Sequence, residues 1–504
     1  MRTQQPPLHS YVIVGGGTAG WITAAVLGRV LRHTNASITL IESPDIATIG
    51  VGEATVPSFI DLLTILGIPE EDFIRQTNAT FKLGIKFTGW QTPDHNYWHP
   101  FGNIGARIDG QPFFQHWLKR YFDGDNTPYT HYSPSAAIAR ENRFYIPDPH
   151  KPNNLSRLGY ALHFDATLAA NYLARYAQEQ GVTHVSAHVE HVNLKDNGYI
   201  ETVILKNGDA IKGDLFVDCT GQRARLMKDA MQVDFTSWQD FLPANAAVVA
   251  QTENPETLPP YTESIAHAHG WRWKIPLKNR TGNGYVYSSD YCSDEQAIVL
   301  LRKSVASPFI TEPRILRFST GVRQKSWHKN CVAIGLSAGF LEPLESTSIY
   351  LIMRGALNLA QLLPNQDFAH ANEDEYNRIM AMEYECLRDF IVLHYCTSKR
   401  TDSPFWNDWQ TRAIPKSLEH KLSLYQSQGR IARNEFDLFA DDSWHAVLTG
   451  MGVMPNGYDP VIAAFEPLGI SKTLSIIQKS LTHSVRQLMS HNDYLERLYS
   501  TKTP

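Results

Sequence analysis

Two lysines, two glutamates and a run of hydroxyls are the side chains whose spacing in this sequence suggests chemistry. In NATFKLGIKFTGW (residues 78–90), Phe81, Leu83, Ile85 and Phe87 alternate with Lys82, Lys86 and small residues, which predicts one strand with both lysines on the same face. An ε-ammonium held out of water can donate to an electrophile's oxygen, and a deprotonated amine can react directly. A lysine facing solvent does neither. Farther on, LEPLESTSIYL (residues 341–351) sets Glu342 and Glu345 ahead of Ser346, Thr347 and Ser348 and an apolar helical run. A carboxylate there can take a proton or stabilise a developing cation. Its structural alternative is a helix-dipole contact of about 0.3–1 kcal/mol. The hydroxyls are natural N-cap residues, and a helix N-terminus also receives small anions.

A third element is HGWRWKIPL (residues 269–277), a strand pattern with Trp271, Trp273 and Ile275 on one face and Arg272 and Lys274 on the other. Two aligned indoles make a flat apolar wall, suited to core packing or to stacking a planar ring.

These side chains need a scaffold, and the first fifty residues supply its start. YVIV reads as a buried strand, GGGTAG as a turn and WITAAVLGRVLRH as a helix. Gly15, Gly17 and Gly20 satisfy G-x-G-x-x-G: a tight turn, room for a pyrophosphate, and close helix packing. The helix N-terminus then faces the phosphates, and Glu42, ending SITLIES, accepts from a ribose hydroxyl. A helix is predicted over 158–182, then the strand HVSAHVEHVNL, then two strand-to-glycine turns, DLFVDCTGQRARL and CVAIGLSAGFLEPL.

Composition narrows the class. At 504 residues, with 43 % apolar and 19 % charged residues, the chain can bury a large core, and its net charge of −5 gives no basic footprint for nucleic acid. No membrane partner is expected. Three glycines interrupt the long uncharged run YVIVGGGTAGWITAAVLG, which reads as strand then helix. Five scattered cysteines without CxxC pairs argue against a disulfide framework and a zinc site, which fits a reducing cytoplasm.

The order of strands and glycine turns resembles the FAD-binding α/β scaffold of flavoprotein monooxygenases, a Rossmann-type βαβ module. No second nucleotide fingerprint for NADPH follows, so electrons would arrive on flavin reduced elsewhere. Taken together, GGGTAGW (15–21), IGVGEATVPS (49–58), FKLGIKF (81–87), WRWKIP (271–276) and PLESTS (343–348) resemble the flavin-dependent halogenases of the tryptophan halogenase family over nearly the whole chain. The resemblance implies that reduced FAD, O2 and chloride or bromide make hypohalous acid, which passes through a tunnel to an aromatic substrate. A separate NAD(P)H-dependent flavin reductase would be the partner; homodimerisation is left open. Lys82 matches the family's essential lysine, forming a haloamine or holding the oxidant by hydrogen bond, and Glu345 its catalytic glutamate. Thr347 and Ser348 match the halide positions, with serine where the family usually has glycine. FAD contacts are expected at Gly15, Gly17, Thr18, Ala19, Gly20, Glu42, Val189, Leu336 and Ile349. Substrate contacts are expected at His99, Pro100, Phe101, Trp271, Trp273 and Ser346. The region ARNEFDLFADDSWHAVLTGMGVMP carries Trp444 and His445 in place of the tyrosine pair used for free tryptophan, so an indole-type ring is preferred, with a phenol, a pyrrole or a larger natural product left open.

The expected organisation is a discontinuous FAD module over 1–360, with substrate-side strands near 80–105 and 265–290, and a mainly helical region over 361–504 capping the substrate chamber. Two alternatives stand beside it. An aromatic hydroxylase on the same scaffold needs no essential lysine, and a non-catalytic flavin-binding protein has no need of Lys82, Glu345 and the indole wall together.

Overall fold

The computed structural model describes residues 5–45, 52–465 and 467–500. Ile49, Gly50 and Val51 of the IGVGEATVPS motif lie outside the described residues. The strand Ser10–Val14 lies inside a six-stranded sheet, flanked by Leu215–Asp218 on one side and Ser37–Glu42 on the other. Five of the six strands run parallel, and the apolar runs of the inner strands Ser10–Val14 and Leu215–Asp218 suit a sheet covered on both faces. The helix Thr18–Leu31 follows directly, buried from Gly20 through Gly28. A Cβ at Gly20 would sit 1.8 Å from the carbonyl oxygen of Gly15, so only glycine lets helix and turn approach this closely.

Two predicted elements differ from the structure. The helix expected over 158–182 begins as a strand, Ala161–Asp165, fully buried between Gly52–Ala54 and Thr80–Lys82. Asp165 then caps the helix Ala166–Glu179 by accepting from the backbone N–H of Thr167 and Leu168. Pairing on both edges outweighs helical periodicity for those five residues. HVSAHVEHVNL likewise divides into Thr183–Ser186 and Val189–Leu194, which join different sheets.

The strand expected to carry both lysines is also divided. Thr80–Lys82 belongs to a three-stranded sheet, whereas Gly84–Thr88 belongs to a seven-stranded one that also holds Gly270–Pro276 and Asn96–Pro100. Gly84 makes the crossing with φ +155°, and a Cβ there would lie 2.4 Å from the carbonyl oxygen of His99. The lysines therefore part company. Lys82 is wholly buried, while Lys86 reaches the partly exposed Glu263 at 3.3 Å. Alternation predicts a shared face only while the chain stays in one sheet.

Every regular element described from His370 onward is helical. The longest, His370–Cys396, packs against the helix Ser348–Gln361, and its last turns are buried beneath the loop that carries Glu342 and Glu345.

Candidate active site

A cavity of about 570 Å³ opens along the glycine turn. Gly15, Gly17, Thr18, Ala19, Glu42, Val189, Leu336 and Ile349 all line it; Gly20 does not, and acts through packing instead. A Cβ at Gly17 would meet no protein atom within 4 Å, so it would project into the cavity where a phosphate must approach. No side chain caps the helix Thr18–Leu31, which leaves its first N–H groups free for an anion. Glu42 sits 3.1 Å from His184 and is held somewhat above the ordinary carboxylate range by burial. These features suit a dinucleotide.

Ser346, Thr347, Ser348, Trp271 and Trp273 border the same cavity. One expectation changes here. The hydroxyls do not cap the helix Ser348–Gln361: Thr347 occupies the cap position without a side-chain bond, so the first-turn N–H groups stay free. The tryptophans, expected at the substrate, border this cavity, with Trp271 also packed on Trp90. Strand alternation gave Trp271, Trp273 and Ile275 a common face but could not say which compartment that face closes.

Lys82 does not line this cavity. Its Nζ donates to the carbonyl oxygen of Thr55 and to Ser346 Oγ, each at 2.9 Å, and stands 5.0 Å from the centre of the Phe101 ring. An ammonium has three N–H bonds, so one remains uncommitted. Burial drives the Lys82 pKa down from 10.5 to about 7, against the opposing pull of Glu345. Ser346 thus touches both Lys82 and the cavity. Its φ of +60° is a left-handed conformation that costs a serine roughly 1 kcal/mol or more and persists where surrounding structure requires it.

Glu345 has no exposed surface. His99 Nδ1 donates to its Oε2 at 2.8 Å, and His394 Nε2 lies 2.8 Å from Oε1 at an angle poorer than that of a hydrogen bond. Burial alone would raise this carboxyl; His99 and His394 outweigh it and hold the pKa near 2. Glu342 experiences the reverse. Burial lifts it to about 8, while Tyr395 O–H donates to its Oε1 at 2.5 Å. At neutral pH one acid of the loop is a carboxylate and the other a neutral carboxylic acid, and that difference selects Glu345 as the charged group.

The predicted substrate residues divide. His99 joins Glu345, Pro100 pairs with Gly84 in the sheet, and Phe101 lies beside Lys82. His99 is walled by Phe101, Phe390 and Phe439 at ring separations of 6.4, 5.4 and 5.2 Å. His445 turns away, stacked on Phe114 at 3.6 Å and bonded to the Gly429 carbonyl; Trp444 packs edge-on against Phe390. Sequence reasoning missed His394, Tyr395 and Phe439. A histidine and a tyrosine in the apolar run DFIVLHYC were the available signal, since buried polar groups need partners.

The tryptophan halogenase family model matches residues 10–467. The chain belongs to that family. It is 36 % identical to the tryptophan 6-halogenase SttH of Streptomyces toxytricini over 98 % of both chains. It is 35 % identical to the tryptophan 7-halogenase RebH of Lentzea aerocolonigenes, over 90 % of this chain and 92 % of that one. Among solved structures, the flavin-dependent halogenase BrvH from Brevundimonas sp. BAL3 superposes with a TM-score of 0.94 at 40 % identity, covering 98 % of this chain and 99 % of its own. The protein is therefore a halogenase-family enzyme with the family's mixed α/β fold. Among the described residues, no group of three or more His, Cys, Asp or Glu side chains is placed to hold a metal, and no helix is long and apolar enough to cross a membrane.

Proposed function

We propose that this enzyme installs chlorine or bromine on an indole-type ring, using FADH2 delivered by a separate NAD(P)H-dependent reductase together with O2. Bound in the cavity, the reduced flavin with O2 and halide supplies hypohalous acid. Gly15, Gly17, Thr18, Ala19 and Glu42 hold the dinucleotide, and Val189, Leu336 and Ile349 pack against it. The uncapped N–H groups at Thr347 and Ser348 receive the halide. Trp271 and Trp273 exclude water along the wall rather than stack the substrate.

Ser346, shared by cavity and lysine, marks where the oxidant crosses to Lys82. The observation that carries the reading is Lys82 itself: a wholly buried ammonium with two N–H bonds committed, one free, and a pKa near the working pH. The free N–H donates to the oxidant's oxygen. As the ring carbon takes the halogen, the O–X bond breaks and its pair stays on oxygen. That hydroxide takes the Lys82 proton and leaves as water. The Glu345 carboxylate opposes the positive charge developing on the ring. The ring then loses a proton, solvent re-protonates Lys82, and the net change is Ar–H + HOX giving Ar–X + H2O.

The test incubates indole with the protein, FAD, a flavin reductase, NADH and either bromide or chloride, and reads products by mass spectrometry. A halide-dependent mass shift that disappears in Lys82→Ala, with FAD binding retained, supports the reading. An oxygen adduct formed without halide refutes it in favour of a hydroxylase.

A further inference from the structure

A second groove, of about 390 Å³, opens beside the dinucleotide cavity and shares only Gln222, Leu336 and Phe340 with it. Its frame is a three-stranded sheet in which Gly321–Arg323 pairs with Phe235–Ser237 on one edge and with Gly339–Phe340 on the other. Gly321, at φ +146°, lets the Phe235 ring lie across the sheet, since a Cβ there would stand 2.7 Å from that ring. Phe340 is the partner of Gly321 on the other side, so two aromatic residues reach the groove from strands that flank the same one. Phe235 and Leu336 are each 37 % exposed, which leaves apolar side chains open along the groove.

Arg323 supplies the charge. It is 6 % exposed and lines this groove, not the dinucleotide cavity. Its Nε donates to the Ser337 carbonyl at 3.0 Å and its Nη1 to the Val233 carbonyl at 2.7 Å, and the guanidinium carbon lies 5.7 Å from the centre of the Phe235 ring. Those bonds fix the group but leave Nη2 without a protein partner among the described residues. Asp218 and Asp229 act on Arg323 only from beyond ion-pair distance. The Asp218 oxygens accept from Thr220, Leu226 and Met227, and Asp229 stands 4.0 Å from Arg223. Lys228 and Asp234, both exposed, also line the groove and carry opposite charges. The net charge of the groove is therefore the single positive charge of Arg323, and a buried guanidinium without a counter-ion is costly.

We propose that this groove is a second small-molecule site, for an aromatic carboxylate whose acid group meets the Arg323 guanidinium and whose flat ring lies against Phe235, Leu336 and Phe340. A charge-assisted bond at one end and aromatic walls along the body suit a planar acid. The volume falls within the range of small-molecule sites, about 300–1,000 Å³. A bare halide, little larger than a water with its share of about 30 Å³, would leave most of the groove empty. The phosphates of a dinucleotide have the glycine turn in the other cavity, whose lining Arg323 does not join. Because Leu336 and Phe340 line both spaces, a bound acid touches the wall of the dinucleotide seat, and any factor by which it changes FAD affinity is returned by FAD on its own. The site lies apart from Lys82 and Glu345, and its test needs no turnover.

The probe is 2-naphthoate, titrated calorimetrically into the full-length protein beside its neutral counterpart 2-naphthamide. The acid is expected to bind at least about tenfold more tightly than the amide, because only the acid forms a charged hydrogen bond. Arg323→Met should weaken the acid at least about tenfold and leave the amide unchanged. If that variant fails to fold, Phe235→Ala decides. It removes an exposed ring, keeps the guanidinium's bonds to both carbonyls, and is expected to weaken acid and amide alike by about fivefold. FAD, titrated separately, should keep its wild-type affinity in both variants, and naphthoate should still bind the FAD-loaded protein. Naphthoate binding that neither variant alters overturns the proposal, as does an amide that binds as tightly as the acid. Loss of naphthoate binding on FAD loading, with weaker FAD binding in Arg323→Met, would make the groove part of the cofactor's own seat and overturn it too.

Discussion

Replacing Lys82 with methionine should abolish halogenation and make the protein more stable. Methionine has a similar length and no charge, so it fits a site with no exposed surface. Burial lowers the Lys82 pKa from 10.5 to about 7, a gap of about 3.5 units, and at 1.36 kcal/mol per unit the fold gives up roughly 5 kcal/mol to keep an ammonium there. The sign follows from linkage. The unfolded chain binds the proton more tightly, so the penalty is complete at and below pH 7, shrinks as pH rises, and is gone above about 10.5. Against this, the Thr55 carbonyl and Ser346 hydroxyl lose their donor, at about 1 kcal/mol or more each. The net gain at pH 7 is then about 2–3 kcal/mol, or a few degrees in Tm for a chain of this size. Thermal unfolding of both proteins at neutral pH and near pH 9–10 checks it. A Lys82→Met protein less stable than wild type at pH 7, or an advantage that does not narrow with rising pH, would show that Lys82 is not a strained buried cation.

Other outcomes follow from the same geometry. Because the ammonium of Lys82 is the acid, the halogenation rate with oxidant supplied should fall as pH rises through about 7; a rate that climbs there would favour the free amine as the acting form. Glu345→Gln should cost at least 100-fold in product formation with FAD binding retained, since it removes the carboxylate held between His99 and His394. Glu342→Gln should change little, because glutamine copies the neutral acid that already accepts from Tyr395; product yields of the two variants, side by side, decide between the acids. Gly17→Val should leave the apoprotein folded yet weaken FAD binding at least tenfold by fluorescence titration, since its side chain would stand in the cavity and touch no protein.

Local grammar made the dinucleotide half of the molecule readable. A strand, a glycine turn and a helix are contiguous, and Gly20 answers a constraint close by in the chain, the carbonyl of Gly15. The lysine strand shows where that grammar stops. Nothing in FKLGIKF says that Gly84 hands the chain to another sheet, so alternation gave Lys82 and Lys86 one face although one is buried and the other pairs near the surface. The acids of LEPLEST show the same limit over a longer range. Tyr395, whose O–H donates to Glu342, is 53 residues away, and His394 beside it meets Glu345 only because a 27-residue helix packs beneath the loop. The indole wall was recognisable as a wall, but its compartment depends on how the seven-stranded sheet lies against the glycine turn.

On the proposed function, oxidant made at the flavin cavity is used only through Lys82. The most direct measurement supplies reduced FAD, O2 and bromide to wild type and to Lys82→Ala, and follows hypohalous acid with a small-molecule halogen trap while mass spectrometry reports brominated indole. The variant is predicted to release trappable oxidant yet leave the ring unbrominated. Brominated indole from Lys82→Ala at the wild-type rate would contradict the account.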